Sequence, residues 1–273
     1  MAITTKSDQD ILSYFMKVNK SFIHPKEKIA SDFLLKRLEP KGGDKILELG
    51  FGTGGSLVRI FSRNNDIELF GVEINESMIN RCDLRLKFCG IREHVTLKKL
   101  NSDDTIPFTD NYFDKIYIES VLGIQDGESL KNMIVEIGRV LKPDGILCIN
   151  ELIWKSHVKQ DEIDAINEFG KKRFGIIQAN GVYKCLQDWQ NLLQQQKFVI
   201  QQADNITGLK NRRIVFPKNW QELLSDIFSL TGKVKAIFTP RLRTEWKSFE
   251  KDMETFKGVN NLEPYIITAS SKK

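Results

Sequence analysis

Between about residue 26 and residue 154, short β-type runs alternate with stretches of helical period, and this alternation limits the fold more than any other feature. Strands separated by helices lie parallel, because each helix returns the chain across one face of the sheet. The first helix is expected over 26–39, with Pro25 at its start and Ile29, Phe33, Leu34 and Leu38 on one stripe. Pro40 and Gly42-Gly43 end it. Strands follow at Lys45–Leu49, Ile67–Ile74, Val95–Leu100, Phe113–Glu119 and Gly145–Leu152. Asn75 is placed to cap the helix carrying Met78, Ile79, Cys82 and Leu86, and Gly90 to stop it. Leu130, Ile134, Ile137 and Leu141 mark another helix, closed by a turn at Lys142-Pro143-Asp144-Gly145. Near-continuous apolar strands of this kind suit a sheet buried on both faces.

Beyond Trp154 the pattern changes. Helical stretches at about 158–173 and 186–196 precede a strand at Phe198–Gln202, and the chain closes on a β-type run at Tyr265–Ala269. Between them, 208–258 is basic, studded with aromatics and helical in period. An amphipathic helix is expected near Asp8–Lys20. The organisation is therefore one α/β domain over 26–207 and 259–273, an N-terminal capping segment over 1–25, and a helical lid inserted at 208–258.

Several classes fall away on composition. A chain of 273 residues buries a full core without disulfides or a structural metal. Cys82, Cys89, Cys148 and Cys185 are scattered, and with His24, His94 and His157 they form no metal-ligand spacing, so reduced thiols and no metal are expected. No apolar run approaches the ~20 residues that span a bilayer, and the first ten residues lack a signal-peptide layout. A cytoplasmic protein is the expectation. The excess of 41 Lys and Arg over 36 Asp and Glu is too small to argue for nucleic acid.

The stretch Glu48-Leu49-Gly50-Phe51-Gly52-Thr53-Gly54-Gly55 leaves a strand and opens a helix. Glycines there let the backbone turn sharply and approach a ligand. One strand later Glu73 brings a carboxylate to the same crevice, where it can accept from both hydroxyls of a ribose. The pair implies a nucleoside cofactor. Gly50, Gly52 and Gly55 satisfy a dinucleotide fingerprint, whereas Gly50, Gly52 and Gly54 satisfy that of S-adenosylmethionine enzymes, so the glycines leave both open.

Further residues carry a resemblance. Glu48, the glycine turn, Glu73, the run Ile106-Pro107-Phe108-Thr109-Asp110-Asn111-Tyr112-Phe113-Asp114 and the later Lys142-Pro143-Asp144-Gly145 resemble the class I S-adenosylmethionine-dependent methyltransferases. The resemblance covers about 25–205 and returns at 262–270. It implies a Rossmann-like α/β fold with about seven strands, the last antiparallel, and helices on both faces. It also implies that Glu48 and the backbone of Gly50, Phe51, Gly52 and Gly54 hold the methionine end of the cofactor. Glu73 would bind the ribose and Ile74 would pack on the adenine. Ser102 stands where the family has an adenine-binding Asp, with Asp103 beside it.

Glu119-Ser120-Val121-Leu122-Gly123-Ile124-Gln125-Asp126 is similar to a motif of sterol, tocopherol, quinone and natural-product methyltransferases, with Gly123 in place of the family's His. Glu119 would face the sulfonium or the acceptor, and Glu151 also ends a strand at the ligand side. Tyr14, Trp154 and Tyr183, with other aromatics, are expected to line a pocket for a small lipophilic acceptor, carbon slightly favoured over oxygen or nitrogen. The basic clusters at 171–173, 210–213 and 241–243 read first as solvated faces. A nicotinamide-dependent oxidoreductase and a nucleic-acid-modifying protein remain as alternatives, and the oligomeric state is not legible.

Overall fold

The structure, a computed structural model, describes residues 10–100, 105–209 and 216–273. Seven strands form one sheet: β1 (Lys45–Leu49), β2 (Glu68–Glu73), β3 (Val95–Lys99), β4 (Phe113–Glu119), β5 (Leu141–Trp154), β6 (Phe198–Asn205) and β7 (Leu262–Ser271). Their order is β3-β2-β1-β4-β5-β7-β6. Strands β1 to β5 pair in parallel, while β7 runs antiparallel to both neighbours. The expected Rossmann-like sheet with an antiparallel last strand is the one observed.

The helices are α1 (Ile11–Lys17), α2 (Glu27–Leu38), α3 (Gly55–Arg63), α4 (Glu76–Phe88), α5 (Gly127–Val140), α6 (Gln160–Phe174), α7 (Leu186–Gln195), α8 (Trp220–Phe238) and α9 (Pro240–Thr255). Strand alternation explains the layers. Leu47, Leu49, Ile116, Ile118, Leu147 and Ile149 point to one face, against α5 and α7. Ile46, Tyr117, Cys148 and Ile266 point to the other, against α2, α3 and α4. Caps set the helix starts: Asn75 accepts from the N–H groups of Ser77 and Met78, and Asp126 from those of Glu128 and Ser129.

One expected turn is different. Lys142–Gly145 lies inside β5, where Asp144 has φ +59° and the pairing with β4 slips between Phe113 and Lys115. A bulge absorbs the turn chemistry without ending the strand.

Leu49 pairs with both Val72 and Ile118, and Glu119 with Asn150. This register brings Gly50, Glu73 and Glu119 to the carboxyl edge where the strand order reverses about β1, the place where such sheets bind ligands. The α8–α9 pair is inserted between β6 and β7. It is joined to the sheet domain by Glu222 of α8, which accepts from Arg59 Nη1 (3.1 Å) and Arg63 Nε (2.5 Å) of α3.

Candidate active site

Gly50, Gly52 and Gly54 all take positive φ, at +77°, +52° and +81°. Any other residue would be strained there, and a Cβ on Gly50 would also strike Val121. The turn is tied to the end of β2 through Glu73. Its Oε2 accepts from the Gly52 N–H at 3.0 Å, and its Oε1 from the N–H groups of Ile74 (2.9 Å) and Asn75 (3.0 Å). Burial raises the Glu73 pKa, and these three donors act in the opposite direction.

Gly50, Gly52, Glu73, Ile74 and Glu119 share the wall of a cavity of about 150 Å³. Leu49, Val72, Leu100 and Met133 line it further, Val121 and Ile124 close one side, and Leu12 and Ile23 of the N-terminal segment cover it. Ser102 and Asp103 lie outside the described residues. Three other expected cofactor residues do not reach the cavity. Phe51 is buried against Gly71, and a Cβ at Gly54 would strike Cys82. Glu48 sits under the sheet and accepts from the Tyr117 hydroxyl at 2.7 Å. Burial pushes its carboxyl well above the usual range, with Glu119 and Glu73 adding to the shift.

Glu119 is the centre of a buried polar ring. Its Oε1 accepts from Ser56 Oγ (2.7 Å) and Ser31 Oγ (2.9 Å). Its Oε2 lies 3.1 Å from both Asn150 Nδ2 and His24 Nε2. These partners come from α2, α3, β5 and the segment before α2, separated from Glu119 by up to 95 positions. Ser31, Ser56, Asn150 and His24 carry no local motif, so sequence reading passes over them as site residues. Beside the ring, Ser120 holds φ +57° and its buried Oγ has no partner among the described residues. Such backbone strain costs about 1–3 kcal/mol and persists only where its surroundings impose it.

Glu151 is employed differently from expectation. Its Oε1 accepts from the N–H groups of Val121 (2.9 Å) and Leu122 (2.8 Å), so it anchors the loop after β4 from behind and does not line the cavity. A Cβ at Gly123 would come 2.8 Å from its Oε2, so any side chain there, the family's histidine included, would have to push the Glu151 carboxylate aside. Burial pushes the Glu151 pKa up to about 7. Between the ordinary carboxyl range and that value the folded chain holds a proton that the unfolded chain releases, so stability falls as pH rises. A melting series from pH 5 to 8 should therefore show a decline, worth at most about 3 kcal/mol for this group. Glu151→Gln keeps an acceptor oxygen and should flatten part of the slope, the remainder coming from Glu48 and Glu73. A slope identical to that of the unaltered chain would refute this assignment.

The profile of a methyltransferase domain family matches residues 40–211, well over half of the chain. The chain belongs to that family. It is an S-adenosylmethionine-dependent methyltransferase. An uncharacterised protein of Haemophilus influenzae is 20% identical over 260 residues, covering 95% of this chain and 97% of its own length. The ubiquinone/menaquinone biosynthesis C-methyltransferase of Yersinia pestis is 35% identical over 111 residues, which is 40% of this chain and 43% of that enzyme. This chain thus matches less than half of that relative. Among solved structures, phosphoethanolamine N-methyltransferase 2 of Haemonchus contortus superposes with a TM-score of 0.69 at 17% identity, covering 96% of this chain and 57% of that one. That likeness is one of fold.

In this methyltransferase the cavity residues fit an adenosyl group by an independent sign: side-chain-free backbone, a carboxylate and an unpartnered hydroxyl converge on one apolar space. Among the described residues, none of the expected aromatics lines the cavity wall. Tyr14 stacks on Trp246 with centroids 5.4 Å apart, inside a satellite core shared by α1, α6 and α9. Trp154 donates from Nε1 to the Asn180 carbonyl (3.0 Å) in another cluster, and Tyr183 packs against the main core. Packing these rings into the clusters removes apolar area from water, and aromatic residue type by itself does not distinguish a core from a pocket.

Proposed function

We propose that this methyltransferase carries the methyl group of S-adenosylmethionine to a carbon atom of a small, fairly lipophilic acceptor. The observation that carries the reading is the buried carboxylate of Glu119 at the cavity wall, ringed by Ser31, Ser56, Asn150 and His24. Bound S-adenosylmethionine supplies an activated methyl group. Transfer to oxygen or nitrogen needs mainly alignment and exclusion of water. Transfer to carbon needs in addition a base for the departing proton, or an anion beside a cationic intermediate. Glu119 is placed for either task.

In this reading Gly52 and Glu73 hold the ribose, and Ile74, Leu100 and Met133 pack on the adenine. Glu119 acts on the acceptor, and His24 stands where it can exchange a proton with Glu119. That contact replaces, from the N-terminal segment, the histidine that Gly123 displaces from the loop. The apolar walls favour a lipophilic acceptor, and the Yersinia relative is named for carbon methylation. Residues 1–25 and 208–258 act as cover, the first directly through Leu12 and Ile23, the second by bracing the first.

Calorimetry with S-adenosylhomocysteine and with NAD tests the cofactor, and a screen of acceptors with labelled S-adenosylmethionine tests the acceptor class. Tight NAD binding without S-adenosylhomocysteine binding would overturn the proposal. Glu73→Ala is expected to weaken S-adenosylhomocysteine at least tenfold, about 1.4 kcal/mol. Unchanged affinity would remove Glu73 from the cofactor site.

A further inference from the structure

Helix α8 packs on the protein through Glu222, Ser225, Ser229 and Gly232 together with Leu224, Phe228 and Ala236, and Gly232 lies so close to the Val18 carbonyl that no Cβ would fit. Its other face carries Trp220, Leu223, Ile227, Leu230, Val234 and Ile237, between 39% and 65% exposed. On a surface helix the solvent face is ordinarily charged or polar. A contiguous exposed apolar stripe of this kind marks an interaction surface.

The spacing of the stripe identifies the occupant. Its six residues are separated by 3, 4, 3, 4 and 3 positions. That is the narrow seam of a two-helix coiled coil, with Trp220, Ile227 and Val234 at a and Leu223, Leu230 and Ile237 at d.

We infer that α8 pairs with the α8 of a second copy of this chain, antiparallel about a twofold axis. In an antiparallel pair each a residue faces a d residue of the partner helix. Here the seam closes on itself completely: Trp220 with Ile237, Leu223 with Val234, and Ile227 with Leu230, each pair formed twice. Charge agrees with this register. Asp226 and Lys233 are the two flanking g positions, and antiparallel packing sets each beside the other's counterpart. Lys233 has no ion pair among the described residues, while Asp226 holds Lys28 through one oxygen. Both flanking residues border a groove of about 440 Å³ between α8 and residues 20–28, the side from which the second helix approaches. The contact is isologous, which a twofold dimer requires.

Sedimentation of the full chain at micromolar concentration should give a dimer. Leu230→Glu should give a folded monomer whose melting temperature no longer rises with protein concentration. Lys233→Glu, which sets Glu beside Asp226 twice, should raise the dissociation constant at least tenfold. Cysteine pairing reads the register: after oxidation with oxidised glutathione, a mixture of Leu223→Cys and Val234→Cys proteins should cross-link, and neither protein alone should. A monomeric chain overturns the inference, as does a dimer that survives Leu230→Glu. Cross-linking of Leu223→Cys to itself overturns the antiparallel arrangement. Binding of the monomer to phosphatidylserine vesicles that is lost in Leu230→Glu would assign the stripe to a membrane surface instead.

Discussion

Glu119→Gln is expected to lower turnover at least ~100-fold, the scale of a lost proton-transfer group, while S-adenosylhomocysteine affinity stays within about threefold. The substitution keeps the shape of the side chain and removes its charge. The surrounding ring can accommodate an amide, because the Ser31 and Ser56 hydroxyls rotate and Asn150 has a spare oxygen, its Oδ1 being buried without a partner among the described residues. Loss of rate therefore reports the missing carboxylate and not a collapsed site. Steady-state kinetics with an acceptor from the screen, beside calorimetry, separates the two effects. Normal turnover would take Glu119 out of the mechanism.

The second large effect is expected at Arg85, a fully buried guanidinium with no carboxylate on it among the described residues. Its Nε donates to the Thr53 carbonyl (2.8 Å) and its Nη2 to that of Asn19 (2.8 Å). Its Nη1 reaches Ser21 Oγ, Ser225 and Ser229 Oγ. Burial lowers its pKa to about 10, which leaves it cationic at neutral pH. One side chain thus joins α4, the segment covering the cavity, the glycine turn and α8. Arg85→Met should fill the space yet leave several buried acceptors unpaired, each costing about 1–3 kcal/mol. A total near 3 kcal/mol corresponds to a melting decrease of about 6–10 °C at this chain length, measurable by scanning calorimetry. Arg85→Lys should recover only part of it, since an ammonium cannot reproduce the fork of donors. A melting temperature within 2 °C of the original would refute the bracing role.

The sheet was legible because its strands announce themselves locally. Runs such as Lys45–Leu49 and Phe113–Glu119 are apolar, short and bounded by turn residues, and the glycine turn follows its strand directly. The convergence of Gly50, Gly52, Glu73 and Glu119 on one cavity was legible for the same reason, since all four lie at the turn or at strand ends. His24, Ser31 and Ser56 were not, since only the packing of α2 and α3 on the sheet brings them to Glu119. Glu151 was ambiguous in sequence. A carboxylate at the ligand edge of a strand can face a cavity or hold a loop, and only the direction of its side chain decides. Tyr14 and Trp154 were misplaced because a core draws on the same residue types as a lipophilic pocket. The apolar stripe of α8 is periodic in the sequence, but its outward direction emerges only once Glu222 is seen to meet Arg59 and Arg63.

Arg85 has a bearing on how this protein is made. Its hydrogen-bond acceptors come from positions 19, 21 and 53 and then from 225 and 229. Chains emerge from the ribosome N-terminus first. A nascent chain that has completed six strands therefore carries a cation whose remaining acceptors have yet to be synthesised. Arg85 gains its full set of acceptors only when translation has passed residue 229.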